Sequence, residues 1–267
     1  MLFRNLFTRR WLFTTLLVIA ALGVLVRLGF WQIDRLHQRR DFNSNVIFRT
    51  EQPPLELSGT VSGKELAGME YRHVVVEGEY DHSYQVVLIN QVYHDQYGAH
   101  LLTPLRIRNS DQYILIDRGW IPADEALSGS WSQYDEIGLV KVSGMIRAPQ
   151  SKPDFGRIAD PTPVTGGERI KIWKLANLDQ MAKQMPFPLL GVYIQQSPNP
   201  SWTRLPYRTE PEPDLTEGSH MSYAMQWFTF AIILAIGYPL YVQREERGSL
   251  KGRSEKATPY NSEELIS

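Results

Sequence analysis

The chain has no cysteine among its 267 residues, so no disulfide supports it and every folded region must hold itself by an ordinary core. The same absence removes thiolate chemistry. A copper chaperone presents thiolates or clustered methionines, and seven scattered methionines do not supply that ligand set. Net charge is scarce too: a formal balance of −1 leaves no electrostatic footprint for nucleic acid. Catalytic signatures are also missing, with no Gly-x-Ser-x-Gly elbow, His-Glu-x-x-His or Gly-x-Gly-x-x-Gly in the chain. The stretch "GTVSGKE" at Gly59–Glu65 is one residue short of a phosphate loop and has Glu65 where Ser or Thr belongs. A protein that holds something, and not an enzyme, is the expectation.

Long apolar runs are confined to the two ends. Met221–Val242 is 22 residues without a formal charge, which as a helix spans roughly 33 Å and crosses a hydrocarbon core of about 30 Å. Gly237 and Pro239 fall inside it, and membrane helices tolerate both. The first run, Trp11–Val26, is interrupted by Arg27 before Leu28–Trp31 continue, and an arginine near a helix end can snorkel to the headgroups. A cleaved signal peptide is the rival reading, since Ala21-Leu22-Gly23 resembles a cleavage site. The apolar pattern runs past that site to Trp31, which favours an uncleaved anchor.

Arg4, Arg9 and Arg10 precede the first run, and Arg244, Arg247, Lys251, Arg253 and Lys256 follow the second. Both tails therefore read as cytoplasmic by the positive-inside rule, although Arg35, Arg39 and Arg40 pull the other way. The predicted organisation is a cytoplasmic tail (1–10), a transmembrane helix (11–33), an outward-facing β-rich domain (34–219), a second transmembrane helix (220–242) and a disordered cytoplasmic tail (243–267).

Beyond Trp31 a helical pattern persists through "QIDRLHQRRDFN", with Leu28, Gln32, Arg35 and Arg39 on one face. Pro53 and Pro54 enforce an extended stretch, and Ser62 with Glu65 predicts a short capped helix. Runs of Val, Ile, Tyr and Thr broken by Gly, Pro, Asn and Asp then predict strands. They lie near Tyr71–Tyr80, Tyr84–Val92, His100–Arg108, Tyr113–Trp120, Val140–Arg147, Ile170–Lys174 and Gly191–Gln196. A helix over Leu178–Gln184, capped by Asn177 and stopped by Pro186, interrupts them. Ser151–Glu168 reads as a long loop. The fold class is a mainly antiparallel β domain, a sheet or partly closed barrel, with one or two short helices between two transmembrane helices.

His73, His82, His94 and His100 lack metal-ligand spacing and read as satisfied surface or core residues. His220 differs in standing at the head of the second span. Tyr223, Ala224, Trp227, Phe230, Ala231 and Leu234 share its helical face. A flat macrocycle could pack on that stripe with His220 on its metal. Equally, His220 could be an interfacial histidine in an aromatic belt. Residue chemistry alone leaves both readings open and favours the belt.

Six stretches occur in order from Gly29 to Val242: "GFWQIDRLHQRRDFN", "YRHVVVEGEYD", "LLTPLRI", "ILIDRGWIP", "VSGMIRAP" and "HMSYAMQWFTFAIILAIGYPLYV". Together they resemble the motifs of the Surfeit locus protein 1 family. The resemblance implies a biogenesis factor for haem-copper cytochrome c oxidase, held in the membrane by two helices. It implies a haem chaperone that takes haem a and passes it to oxidase subunit I, with haem a synthase as a further partner. The family's haem-linked histidine corresponds to His220, with Tyr223 and Trp227 as a haem wall and Arg35 and Arg39 near the propionates. "DRGWIP" is expected to shape a strand end, where Gly119 permits a turn and Pro122 stops pairing. The bacterial cell membrane is the expected location, because no long presequence precedes the first span. The competing expectation is a scaffold that holds subunit I and never binds haem.

Overall fold

The computed structural model describes residues 6–153, 160, 162–164 and 167–255. The described residues form helices α1 (Leu12–Thr50), α2 (Gly63–Ala67), α3 (Ala123–Leu127), α4 (Leu178–Ala182) and α5 (His220–Glu255). The strands are β1 (Leu55–Leu57), β2 (His73–Tyr80), β3 (Val86–Tyr93), β4 (Gln96–Ile107), β5 (Tyr113–Pro122), β6 (Leu139–Arg147), β7 (Ile172–Trp173) and β8 (Leu189–Gln196). They divide into two compact units: Met1–Asn43 with Leu215–Ser267, and Ser44–Asp214.

In the first unit, α1 and α5 are each long and apolar enough to cross a membrane. Within this unit the buried residues of α1 are Thr15, Gly29, Leu36 and Asn43, spaced by seven or fourteen, with Leu22 half-buried among others between them. A seven-residue repeat keeps one seam of a helix against a neighbour. On α5 the small residues Ala224 and Ala231 are buried at the same spacing, as expected where membrane helices approach closely. At Gly29 the partner is the Phe228 ring, which a Cβ there would meet at 2.6 Å. Polar contacts flank this apolar stretch. Thr15 Oγ1 meets Tyr238 Oη at 2.7 Å, and Trp11 Nε1 donates to Glu246 Oε1 at 2.8 Å. Both helices outrun the expected spans. Of the tail expected to be disordered, Gln243–Glu255 is helical and 256–267 lie outside the described residues.

The second unit is built on one mixed sheet in the order β1-β2-β6-β8-β5-β4-β3-β7. Neighbours pair antiparallel except β1 with β2, β3 with β7 and β5 with β8, which run parallel. The far end of β4 also pairs with β2, Leu105–Ile107 against Gly78–Tyr80. This curls the sheet, but the link is short and β1, β3 and β7 stand outside it. The result is a curled mixed sheet and not a closed barrel. The predicted strands correspond to β2 to β8. β1, a three-residue strand directly after the Pro-Pro pair, was not foreseen, and β7 is shorter than expected. Asn177 caps α4 by accepting from Gln180 N at 3.3 Å, whereas Ser62 starts α2 without a side-chain cap.

β5 lies near the middle of the sheet and is buried on both faces. Ile114 and Ile116 enter the core inside the curl with Val74, Val76, Val142 and Ile194. Leu115, pointing the other way, packs with Val86, Trp173 and Met181. A strand covered on both faces reads as a continuous apolar run, and the charges that follow in β5, Asp117 and Arg118, are consequently inside the protein, 3% and 0% exposed.

Candidate functional site

His220 opens α5 and is half-buried. Its Nδ1 lies 2.8 Å from Oε1 of Gln32 on α1, 188 residues earlier in the chain. Gln32 lies between Gly29, on which the Phe228 ring of α5 packs, and buried Leu36. The segment leading into α5 is tied to α1 by three contacts. Arg39 Nε donates to the Thr216 carbonyl at 2.8 Å, Asn43 Nδ2 donates to the Leu215 carbonyl, and Arg40 forms a two-pronged pair with Glu217 at 2.8 and 2.9 Å. The Arg40 hydrogen bond holds the Glu217 carboxyl below its ordinary range. This pair is exposed, so its contribution to stability is small. Its effect is to fix the entry to α5.

The other residues singled out in the sequence are placed as follows. Trp227 is half-buried beside the seam, against Phe230 at 6.2 Å between ring centres. Tyr223 and Phe230 turn outward, 48% and 44% exposed. Ala224, Ala231 and Leu234 line the α1 side. The stripe is therefore divided: its small members close the helix pair and its aromatic edge stays open. Arg35 donates to Gln38 Oε1 at 3.0 Å and lies over the Trp31 ring. Arg39 lies over Phe42 as well as holding Thr216. Arg39 thus has a positioning task that sequence alone did not suggest.

Among the described residues no group of three or more His, Asp or Glu side chains could hold a bare metal ion. A lone imidazole instead suits an axial position on a metal that already carries its own ring of donors. The Gln32 contact engages Nδ1 and leaves Nε2 for that task. The donor set therefore fits haem and does not fit a protein-chelated ion.

A second polar cluster, missed in the sequence, lies within the β unit. Arg118 is fully buried, donates to the Tyr134 carbonyl and to Glu136 Oε1 at 2.8 Å, and covers the Tyr80 ring at 4.8 Å. Burial pushes the Tyr80 phenol well above its ordinary pKa, although Arg118 pulls it down. Arg208 approaches Glu136 from the other side at 3.6 Å, and desolvation lowers its pKa. Asp117 accepts from Gly119 N and pairs with His100 Nδ1 at 2.7 Å. "DRGWIP" closes β5 as expected, with pairing ending at Pro122, but Gly119 makes no turn. Gly119 forms a bulge inside β5 with φ +122°, and the chain continues pairing through Trp120 with Tyr207. The signal was present, because charges embedded in "ILIDRGWI" break a run too apolar to face water on either side.

His100 yields a pH prediction. Burial opposes its charge, but the Asp117 carboxylate and hydrogen bond prevail and raise its pKa above the ordinary value near 6.5. A raised folded-state pKa means the contribution is complete below about pH 6.5 and fades as pH rises through the folded value. Thermal unfolding of the detergent-solubilised chain should show a midpoint that falls over that window, and His100→Gln should flatten the fall. An unchanged slope in the variant would assign the pH dependence elsewhere.

Two helices long and apolar enough to cross a membrane, one before and one after a curled mixed sheet in the chain, define the class as a membrane-associated protein. The SURF1 family model matches residues 19–232; the chain belongs to that family. It is similar to a SURF1-like protein of Caenorhabditis briggsae, 26% identical over 84% of this chain and 73% of that protein. The Caenorhabditis elegans SURF1-like protein is also 26% identical, over 77% and 67%. Surfeit locus protein 1 of Rattus norvegicus is 24% identical over 75% and 66%.

Proposed function

We propose that this protein is an assembly factor for haem-copper cytochrome c oxidase that holds haem, haem a by family resemblance, at His220 and delivers it to subunit I without making or breaking covalent bonds. The observation that carries the reading is the His220 imidazole, held at Nδ1 by Gln32 and half-exposed at the end of a membrane-length helix. Haem, when bound, would supply an iron that accepts a nitrogen base. His220 would hold it through Nε2. The open edge formed by Tyr223 and Trp227 offers a flat apolar wall, and Arg35 offers a cation to propionates where α1 leaves the apolar stretch. A single protein ligand also suits release, since the receiving protein has one bond to replace. In this reading the protein lies in a bacterial cell membrane with both termini cytoplasmic, meets haem a synthase as donor and subunit I as acceptor, and is not an enzyme.

Purified from haem-replete membranes, the protein should show a Soret band, and His220→Ala should abolish it while leaving the thermal midpoint of the β unit unchanged. A colourless wild-type protein that still captures subunit I would replace the haem reading with that of a scaffold. The scaffold has its own support: Val92 and Tyr97, on paired strands β3 and β4, are 57% and 78% exposed, an apolar edge suited to contact with another protein.

A further inference from the structure

We propose that Gln32 sets the tautomer of His220, and that Gln32 and Gly218 together make Nε2 the ring nitrogen available to a ligand. The proposal rests on the haem reading of this site, but its first step concerns the protein alone. An amide oxygen only accepts. With Gln32 Oε1 at 2.8 Å from Nδ1, the ring proton belongs on Nδ1, and the lone pair of the neutral imidazole is on Nε2. This is the arrangement by which outer partners orient metal-bound histidines. Gln32 is flanked by contacts that hold its stretch of α1: Gly29, three residues before it, receives the Phe228 ring, and Leu36, four residues after it, is 1% exposed.

Gly218 acts on the opposite edge of the ring. A Cβ at this residue would stand 3.5 Å from both Nε2 and Cδ2 of His220. Its φ of +67° is also a conformation that side chains adopt only under strain. The turn geometry thus favours glycine at a position in contact with the Nε2 side of the ring. An added Cβ alone would only touch the ring, but the further carbons of a branched side chain at 218 would stand beside the nitrogen that Gln32 leaves free. Neither residue touches the ligand, so both are positioning residues. Were Gln32 merely a polar link between helices, its amide could equally be turned so that nitrogen donates to Nδ1. The proton would then sit on Nε2 and block ligation.

The test uses the full-length chain, 15N-labelled at histidine, in lipid nanodiscs without haem, with the His220 signals assigned by their loss in His220→Ala. The wild type should show a protonated Nδ1 and a bare Nε2. Gln32→Met, which keeps the packing and removes the acceptor, should move the proton largely to Nε2 and weaken haem binding by about 10–100-fold. Gln32→Glu should restore the Nδ1–H tautomer and most of the binding. Gly218→Val should weaken binding while the tautomer stays wild-type. A protonated Nε2 in the wild type, or a Gln32→Met protein with unchanged tautomer and affinity, would overturn the proposal. If the tautomers follow this pattern but His220→Ala keeps its Soret band, the haem reading fails and the assignment of Gln32 stands. If His220→Ala loses the band but Gln32→Met has no effect, the reverse holds.

Discussion

Replacing Arg118 by alanine should destabilise the β unit by about 3–5 kcal/mol, because removing one member of a buried ionic cluster leaves the rest desolvated and unmatched. The guanidinium is wholly buried and is bound to the Tyr134 carbonyl, to Glu136 and over Tyr80. Its loss deprives Glu136 of its closer cation, leaving Arg208 at 3.6 Å, and opens a void beside Tyr80. For a unit of this size that corresponds to a fall of roughly 6–20 °C in the unfolding midpoint. The double variant Arg118→Met with Glu136→Gln should recover a large part of the loss, since exchanging a whole buried pair for apolar or neutral groups is often close to neutral. Thermal unfolding followed by tryptophan fluorescence reads both. A midpoint within a degree or two of wild type for Arg118→Ala would show that water reaches the cluster.

Gly119→Ala should cost nearly as much, for reasons of shape. The φ of +122° alone makes a side chain expensive, by about 1–3 kcal/mol. A Cβ would in addition lie 2.4 Å from the Tyr207 carbonyl oxygen, which accepts from Trp120 N at 2.8 Å. Displacing Tyr207 forfeits that bond and its reciprocal, each worth about 1 kcal/mol. Together these come to about 3–5 kcal/mol. Gly138→Ala provides the control: its φ is +87° but nothing lies within 4 Å of the added carbon, so it should cost the strain alone. If the two variants unfold at the same temperature, the Tyr207 contact does not constrain the bulge.

Much of this architecture is legible from residue patterns, and the parts that are not share a cause. The end helices declare themselves by uncharged length, and the strands by β-branched runs between Gly, Pro, Asn and Asp. Asn177 announces its helix because a cap is a contact between near neighbours. β1 was missed because its three residues carry no periodicity, and their pairing partner is Val74–Val76 in β2. Strand order was equally hidden: β8 joins β5 through Tyr113 and Leu189, a contact that no local pattern encodes. His220 could be picked out as the one titratable side chain at the head of an uncharged stretch. Gln32 could not, because an amide gains significance only when a partner 188 residues away meets it. The helical face first read on α1 joined Gln32 to Arg35, whereas the seam joins it to Gly29 and Leu36. A seam that mixes Thr15, Gly29 and Asn43 with leucine is fainter than one of leucines alone.

The place of β8 in the sheet has a consequence for how the protein is made. The last strand to leave the ribosome is inserted between two earlier ones, β6 and β5. Until residue 196 of 267 has emerged, both of those strands have an open edge, and a bare strand edge invites pairing with any passing chain. The β unit therefore cannot complete itself progressively from its beginning. It waits as a half-built sheet for most of its synthesis and closes in one late event, shortly before α5 emerges. A premature stop anywhere upstream of Leu189 would yield more than a shortened protein: it would leave a sticky template, a substrate for proteolysis and holdase chaperones.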